Sequence, residues 1–177
     1  MNSEEQDLYQ RICNFKLDDP NALFPFSHKL SWECRWTEIY TLRAIQEYKK
    51  FIFLAMVADH IVSPPEPIDK VWHLHLLYSH SYWHEFCGEL LQKELHHRPS
   101  SGGHEEEAKY LRFYQQTLET YQHYFGVPPN DIWPEPHLRG KPIAFHWVDS
   151  DKYWIIPKPE QWSSVLYQFF VKMRLLM

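Results

Sequence analysis

The sequence predicts a mainly α-helical, single-domain bundle of about five helices, with a small β-hairpin near 143–156 and a helix closing the chain. Three observations carry that expectation. Apolar residues recur at threes and fours from Ile39 to Ala55 and from Leu111 to Phe125. Breakers rich in Pro or Gly separate these stretches at Asp18–Asn21, Ser63–Pro67, Gly102-Gly103 and Gly126–Pro129. Past Trp133-Pro134-Glu135-Pro136 the texture changes to short β-branched and aromatic runs. A chain of 177 residues is long enough for one domain with a sizeable core.

Taken in order, Ser3 is a fair N-cap for a short first helix that turns Leu8, Ile12 and Phe15 inward. Asp18-Asp19-Pro20-Asn21 and Phe24-Pro25-Phe26 break it. Thr37 or Ser31 can cap a second helix running to about Asp59, whose stripe is Ile39, Leu42, Ile45, Tyr48, Ile52 and Ala55. The prolines of Ser63–Pro67 form an elbow, because proline suits the first turn of a helix and not its interior. A third helix then runs from about Pro67 to Cys87 or beyond. A fourth fills Glu105 to Phe125 with the stripe Leu111, Tyr114, Leu118, Tyr121 and Phe125, and Gly126 stops it. The runs Ile143–Val148 and Tyr153–Ile156 flank Asp149-Ser150-Asp151-Lys152 as a hairpin. Pro159 opens the last helix, carrying Trp162, Leu166, Phe169, Phe170 and Met173. Residues 137–177 thus read as an appendage to the helical body.

Composition narrows the function classes. The net charge is −5 and no Lys/Arg stripe is present, so a nucleic-acid footprint is not expected. Aromatic residues make up 17%, so many buried phenols and indoles must find hydrogen-bond partners. The three cysteines are widely spaced with no Cys-x-x-Cys pair, which fits a reducing, cytoplasmic setting. The acidic start Met1–Asp7 has no apolar leader, and the longest apolar run, Phe51–Ala58, is too short to span a bilayer. A soluble protein is expected.

The third helix concentrates the chemistry. It is apolar almost all round, which marks a central, buried element, yet it carries Asp69, His73, His75, His80, His84 and Cys87. At about 100° per residue, all of these except His75 fall on one ridge. His73 and His75 lie about 200° apart and cannot share an ion on an intact helix. Asp69–His73 and His80–His84 have the four-residue spacing that can. His97 belongs to the same centre only if the chain reverses after Gly88, since a continuous helix leaves it about 36 Å from His73.

The stretches Glu47-Tyr48-Lys49-Lys50-Phe51, Val71-Trp72-His73-Leu74-His75, Ser81-Tyr82-Trp83 with Cys87, His97-Arg98-Pro99, Gly102-Gly103 with Glu106, and Asp131-Ile132-Trp133-Pro134 follow one another at characteristic intervals. In this the chain resembles the glycine-rich-domain-containing-protein-like family and its bacterial relatives, over about residues 24–136. The glycine-rich region of that family is absent here, and so is any transmembrane segment. The family carries no established reaction, so the resemblance locates a site rather than a chemistry. It implies that Asp69, His73, His75, Cys87 and His97 are motif positions, whereas His80 and His84 are not.

Two function classes follow. In the first, a transition metal (zinc, iron or manganese) is held by Asp69 and His73, joined by His97 and Glu106, with His75, Glu47 and Cys87 as secondary candidates. If such an ion is catalytic, metal-activated water chemistry is the default. In the second, the His/Asp network is structural, and the protein is an interaction module that binds a protein partner through the helix at 160–177. Contact of that helix with a membrane surface is the weaker reading. Cys87 sits toward a helix C-terminus, where the dipole disfavours a thiolate, and acidic residues after Gly102-Gly103 would repel a phosphate.

Overall fold

A computed structural model describes residues 1–98 and 102–136. The predicted hairpin near 143–156 and the helix at 160–177 lie outside the described residues. Within them the architecture is helical throughout: α1 (Ser3–Asn14), α2 (Phe26–Cys34), α3 (Glu38–Val57), α4 (Glu66–Leu77), a π-helix (Ser81–Leu91) and α5 (His104–Phe125). No strand occurs among the described residues, and none of these helices is long and apolar enough to cross a membrane.

Helix α3 is the hub, packing against α1, α2, α4 and α5. Its buried side chains include Ala44, Ile45, Tyr48, Phe51, Ile52, Phe53 and Leu54. The expected stripe holds from Ile45 onward. Its first two members, Ile39 (75% exposed) and Leu42 (45%), face outward because the buried face of these first turns runs through Thr41 and Ala44 instead. Thr37 caps α3 by accepting the Tyr40 N–H. At α1 the cap is Asn2 rather than Ser3: Asn2 accepts the Glu5 N–H at 2.9 Å and Glu5 accepts the Asn2 N–H at 2.7 Å.

Two elements depart from expectation. Helix α2 begins directly after Pro25, which serves as its N-cap residue, and ends at Arg35 in the left-handed region with φ 57°. Phe26 and Leu30 from this helix are buried in the core. The third predicted helix is not continuous. It stops at Leu77, Tyr78 takes φ −83° and ψ 61°, and the chain resumes as a π-helix from Ser81. Hydrogen bonds in a π-helix span five residues rather than four, so wheel arithmetic at the α-helical period does not carry past Tyr78. Gly88 marks the tight place: a Cβ there would lie 3.2 Å from the Trp83 carbonyl oxygen five residues earlier.

Helix α5 matches expectation closely. Gly103 precedes it at φ 98° and Gly126 ends it at φ 79°, conformations that favour glycine. Tyr114 and Tyr121 face the core and Leu118 and Phe125 pack against it, while Leu111, expected in the stripe, is exposed. Thr117, fully buried, accepts the Ser63 N–H at 2.9 Å and donates to the Phe113 carbonyl at 2.7 Å, tying the Pro elbow to α5. Thr117→Val keeps the volume but removes both bonds. It is expected to cost about 1–3 kcal/mol, read from the midpoint of urea unfolding.

Candidate metal centre

Asp69 and His73 stand one turn apart on α4, as their spacing predicts. The ridge they form is the open edge of that helix. The buried face carries Ile68, Val71, Trp72, Leu74 and His75. Side-chain exposure is 58% for His73, 35% for Asp69 and 16% for His97, so the cluster lies at the rim of the bundle and not at its centre. An apolar count around the helix overstates its burial, because Leu77 is itself exposed.

The chain does reverse. Gln92 ends the π-helix in the left-handed region with φ 52°, and the Lys93 N–H returns to the Cys87 carbonyl at 3.1 Å. The segment after it runs back along α4 and is fastened there by Tyr82. The Tyr82 hydroxyl accepts the Trp72 indole N–H at 2.8 Å and donates to the Leu95 carbonyl. Burial pushes the Tyr82 phenol pKa up, so it stays protonated and able to donate. Two residues beyond Leu95, the His97 ring sits edge-on against Trp72 with centroids 4.8 Å apart. The sequence alone does not single out Tyr82 and Trp72 as builders of this site. The available signal is general: a buried phenol and a buried indole each need a partner.

The result is a compact three-residue group. Ligand-capable atoms of Asp69, His73 and His97 all lie within 4.8 Å of one another. His97 Nε2 is 2.7 Å from Asp69 Oδ1 and 3.2 Å from His73 Nε2, and His73 Nε2 is 3.5 Å from Asp69 Oδ2. A ring nitrogen has one in-plane direction and serves one linear hydrogen bond. His97 Nε2 faces two partners and serves one; when it donates to Asp69 Oδ1, His73 Nε2 is left with the longer 3.5 Å contact to Oδ2.

No family model, curated protein or solved structure matches this chain. The reading of the centre therefore rests on its own geometry and chemistry.

The other candidates fall elsewhere. Glu106, near the start of α5, is outside the three-residue group. Glu47 is buried on α3, where it accepts from Tyr121 Oη at 2.8 Å, Trp133 Nε1 at 2.9 Å and Lys50 Nζ at 2.8 Å. Cys87 is buried beside Tyr82 and the Leu95 backbone, and burial pushes its thiol up. His75 is fully buried on the opposite face of α4, bonded through Nδ1 to Tyr48 Oη at 2.9 Å. His80 and His84 lie exposed on the far side of the Tyr78 break, their ring centroids 5.0 Å apart, with His80 3.4 Å from Glu85. They do not continue the Asp69–His73 ridge.

Proposed function

We propose that Asp69, His73 and His97 bind a divalent transition metal. The observation that carries this reading is the convergence of two imidazole Nε2 atoms and one carboxylate on a common point. For a tetrahedral ion with bonds of about 2.0–2.1 Å, ligand atoms stand about 3.3 Å apart. The separations of 3.2 Å and 3.5 Å fit that directly. The 2.7 Å contact of His97 is with the other carboxylate oxygen, Oδ1, so the Asp69 carboxyl must turn for one of its oxygens to serve both histidines. One negative charge with two neutral imidazoles suits a dication, and a two-His, one-carboxylate set is compatible with zinc, iron or manganese.

Three protein ligands at a half-open rim leave a coordination position facing solvent. An ion held this way supplies Lewis acidity and an activated water. Asp69 and His73 come from one rigid helix, while His97 comes from the returning segment, so the ion also cross-links the two. Glu106 is assigned no ligand role, because its carboxylate stands apart from the group.

Zinc titration against a chromophoric chelator, with elemental analysis of the dialysed protein, tests the proposal. One ion per chain is expected for the wild type and for Glu106→Gln, with His97→Ala and His73→Ala losing it. Zinc at about a hundredfold over its Kd should add about 2.7 kcal/mol to unfolding stability, and chelator should remove that gain. The opposing reading is a structural clasp in which the 2.7 Å His97–Asp69 contact is only a hydrogen bond. A wild type without stoichiometric metal, destabilised by His97→Ala with or without chelator, would establish that instead.

A further inference from the structure

We propose that Tyr82 is the positioning residue of the Asp69/His73/His97 centre, and that its hydroxyl sets both metal affinity and coordination geometry. The inference rests on the metal reading above. Two of the ligands are fixed by α4, one turn apart, and need no further help to face the same way. The third is not. His97 arrives on an irregular return after Gln92, and its approach to α4 is set by what holds residues 92–97 down.

One hydroxyl makes the main link. Tyr82 Oη receives the Trp72 Nε1–H at 2.8 Å and gives its own proton to the Leu95 carbonyl, so both of its roles are used. Trp72 neighbours the ligand His73 and stacks its edge on the ligand His97. Leu95 is two residues from His97. This oxygen thus joins the helix bearing two ligands to the segment bearing the third and touches none of the three, and the Cys87 thiol, bonded to both Tyr82 and the Leu95 backbone, supports it. Tyr82, Trp72 and Leu95 are buried, so this link is shielded from competing water, whereas the ligands are partly open. Groups that orient ligands without touching the ion typically change affinity by about 10–100-fold when removed.

Tyr82→Phe deletes only the oxygen. Its zinc Kd, measured by chelator competition on the full chain at a temperature where it is fully folded, is expected to rise about 10–100-fold. With cobalt in place of zinc, the visible ligand-field spectrum should lose intensity or shift, as His97 leaves the first sphere or binds in a relaxed geometry. Trp72→Phe, which removes the indole N–H, should move affinity and spectrum in the same direction and covers the case in which Tyr82→Phe folds poorly. Tyr124→Phe, which removes the bond from α5 to Glu5 of α1, should leave both unchanged. Tyr82→Phe and Trp72→Phe binding zinc within about twofold of wild type, with an unaltered cobalt spectrum, would overturn the positioning role while leaving the metal reading intact. A wild type that takes up neither ion would overturn both.

Discussion

Replacing Glu47 with leucine is expected to remove about 3–5 kcal/mol of folding stability, the cost of breaking a buried, hydrogen-bonded charge network on one side. The Glu47 carboxylate is the meeting point of three parts of the chain. Lys50 of α3 reaches Oε1, while Tyr121 of α5 and Trp133 of the closing turn both donate to Oε2. Lys50 also lies 3.0 Å from the Tyr121 hydroxyl and 5.4 Å from the ring centroids of Tyr121 and Phe125. Leucine would fill the space but leave an ammonium, a phenol and an indole without their acceptor. Glu47→Gln keeps one carbonyl oxygen for the aromatic donors and loses the charge that holds Lys50. It should cost clearly less, about 1–3 kcal/mol. Urea unfolding followed by near-ultraviolet dichroism reads both the loss and the loosened Trp133. A leucine variant within about 1 kcal/mol of wild type would show that the network is not what joins α3, α5 and the 129–136 turn.

This network and the metal candidate bear differently on what a sequence can reveal. The helical stripes around Tyr48 and Ile52, and around Tyr114 and Tyr121, are legible because burial follows a period the sequence carries openly. Asp69 with His73 is legible because residues four apart share one face of a helix, whether or not that face is buried. The need for a reversal after Gly88 follows from helix length alone. Glu47 reads correctly as a carboxylate facing inward, yet its partners Tyr121 and Trp133 lie 74 and 86 residues away. No local pattern announces such a pairing, so an inward carboxylate looks the same whether it meets an ion or a phenol.

Helix α2 is hidden for a different reason. Pro25 looks like a breaker from outside and acts as the residue before the first turn, while Arg35 ends the helix where glycine is the usual signal. The π-helix is hidden because hydrogen-bond span is not written in an apolar segment. Leu, Phe and Trp satisfy either ladder, and only tertiary packing selects between them. Gly88 gives the single local hint, and it is intelligible only once the Trp83 carbonyl is seen pressed against it. That choice of ladder decides which residues share a face, so it separates His80, His84 and Cys87 from the ridge that the wheel assigns them.

Acidification should destabilise the protein through His75, and the expected loss is large. This imidazole is fully buried, ringed by Phe15, Phe26, Tyr48, Tyr82 and Phe86, and bonded to the Tyr48 hydroxyl. Its Nε2 has no hydrogen-bond partner among the described residues, and burial pushes its pKa from the ordinary 6.5 down to about 3. The folded-state value is the lower one. Between these two pH values the unfolded chain therefore binds a proton that the folded chain refuses, and stability falls as pH falls. The contribution is whole above about pH 6.5 and declines by up to about 1.4 kcal/mol per pH unit toward pH 3. From pH 7 to pH 4.5 that amounts to about 2–3 kcal/mol. The double variant His75→Phe/Tyr48→Phe removes the titrating ring and the hydroxyl it bonds together, leaving no new unpaired polar group. Measured with chelator present, so that metal-linked protonation does not contribute, its stability should fall over this range by about 2–3 kcal/mol less than that of the wild type. Parallel pH profiles for the two proteins would mean that His75 gains a proton without unfolding, and that water or a carbonyl reaches Nε2 inside the aromatic cage.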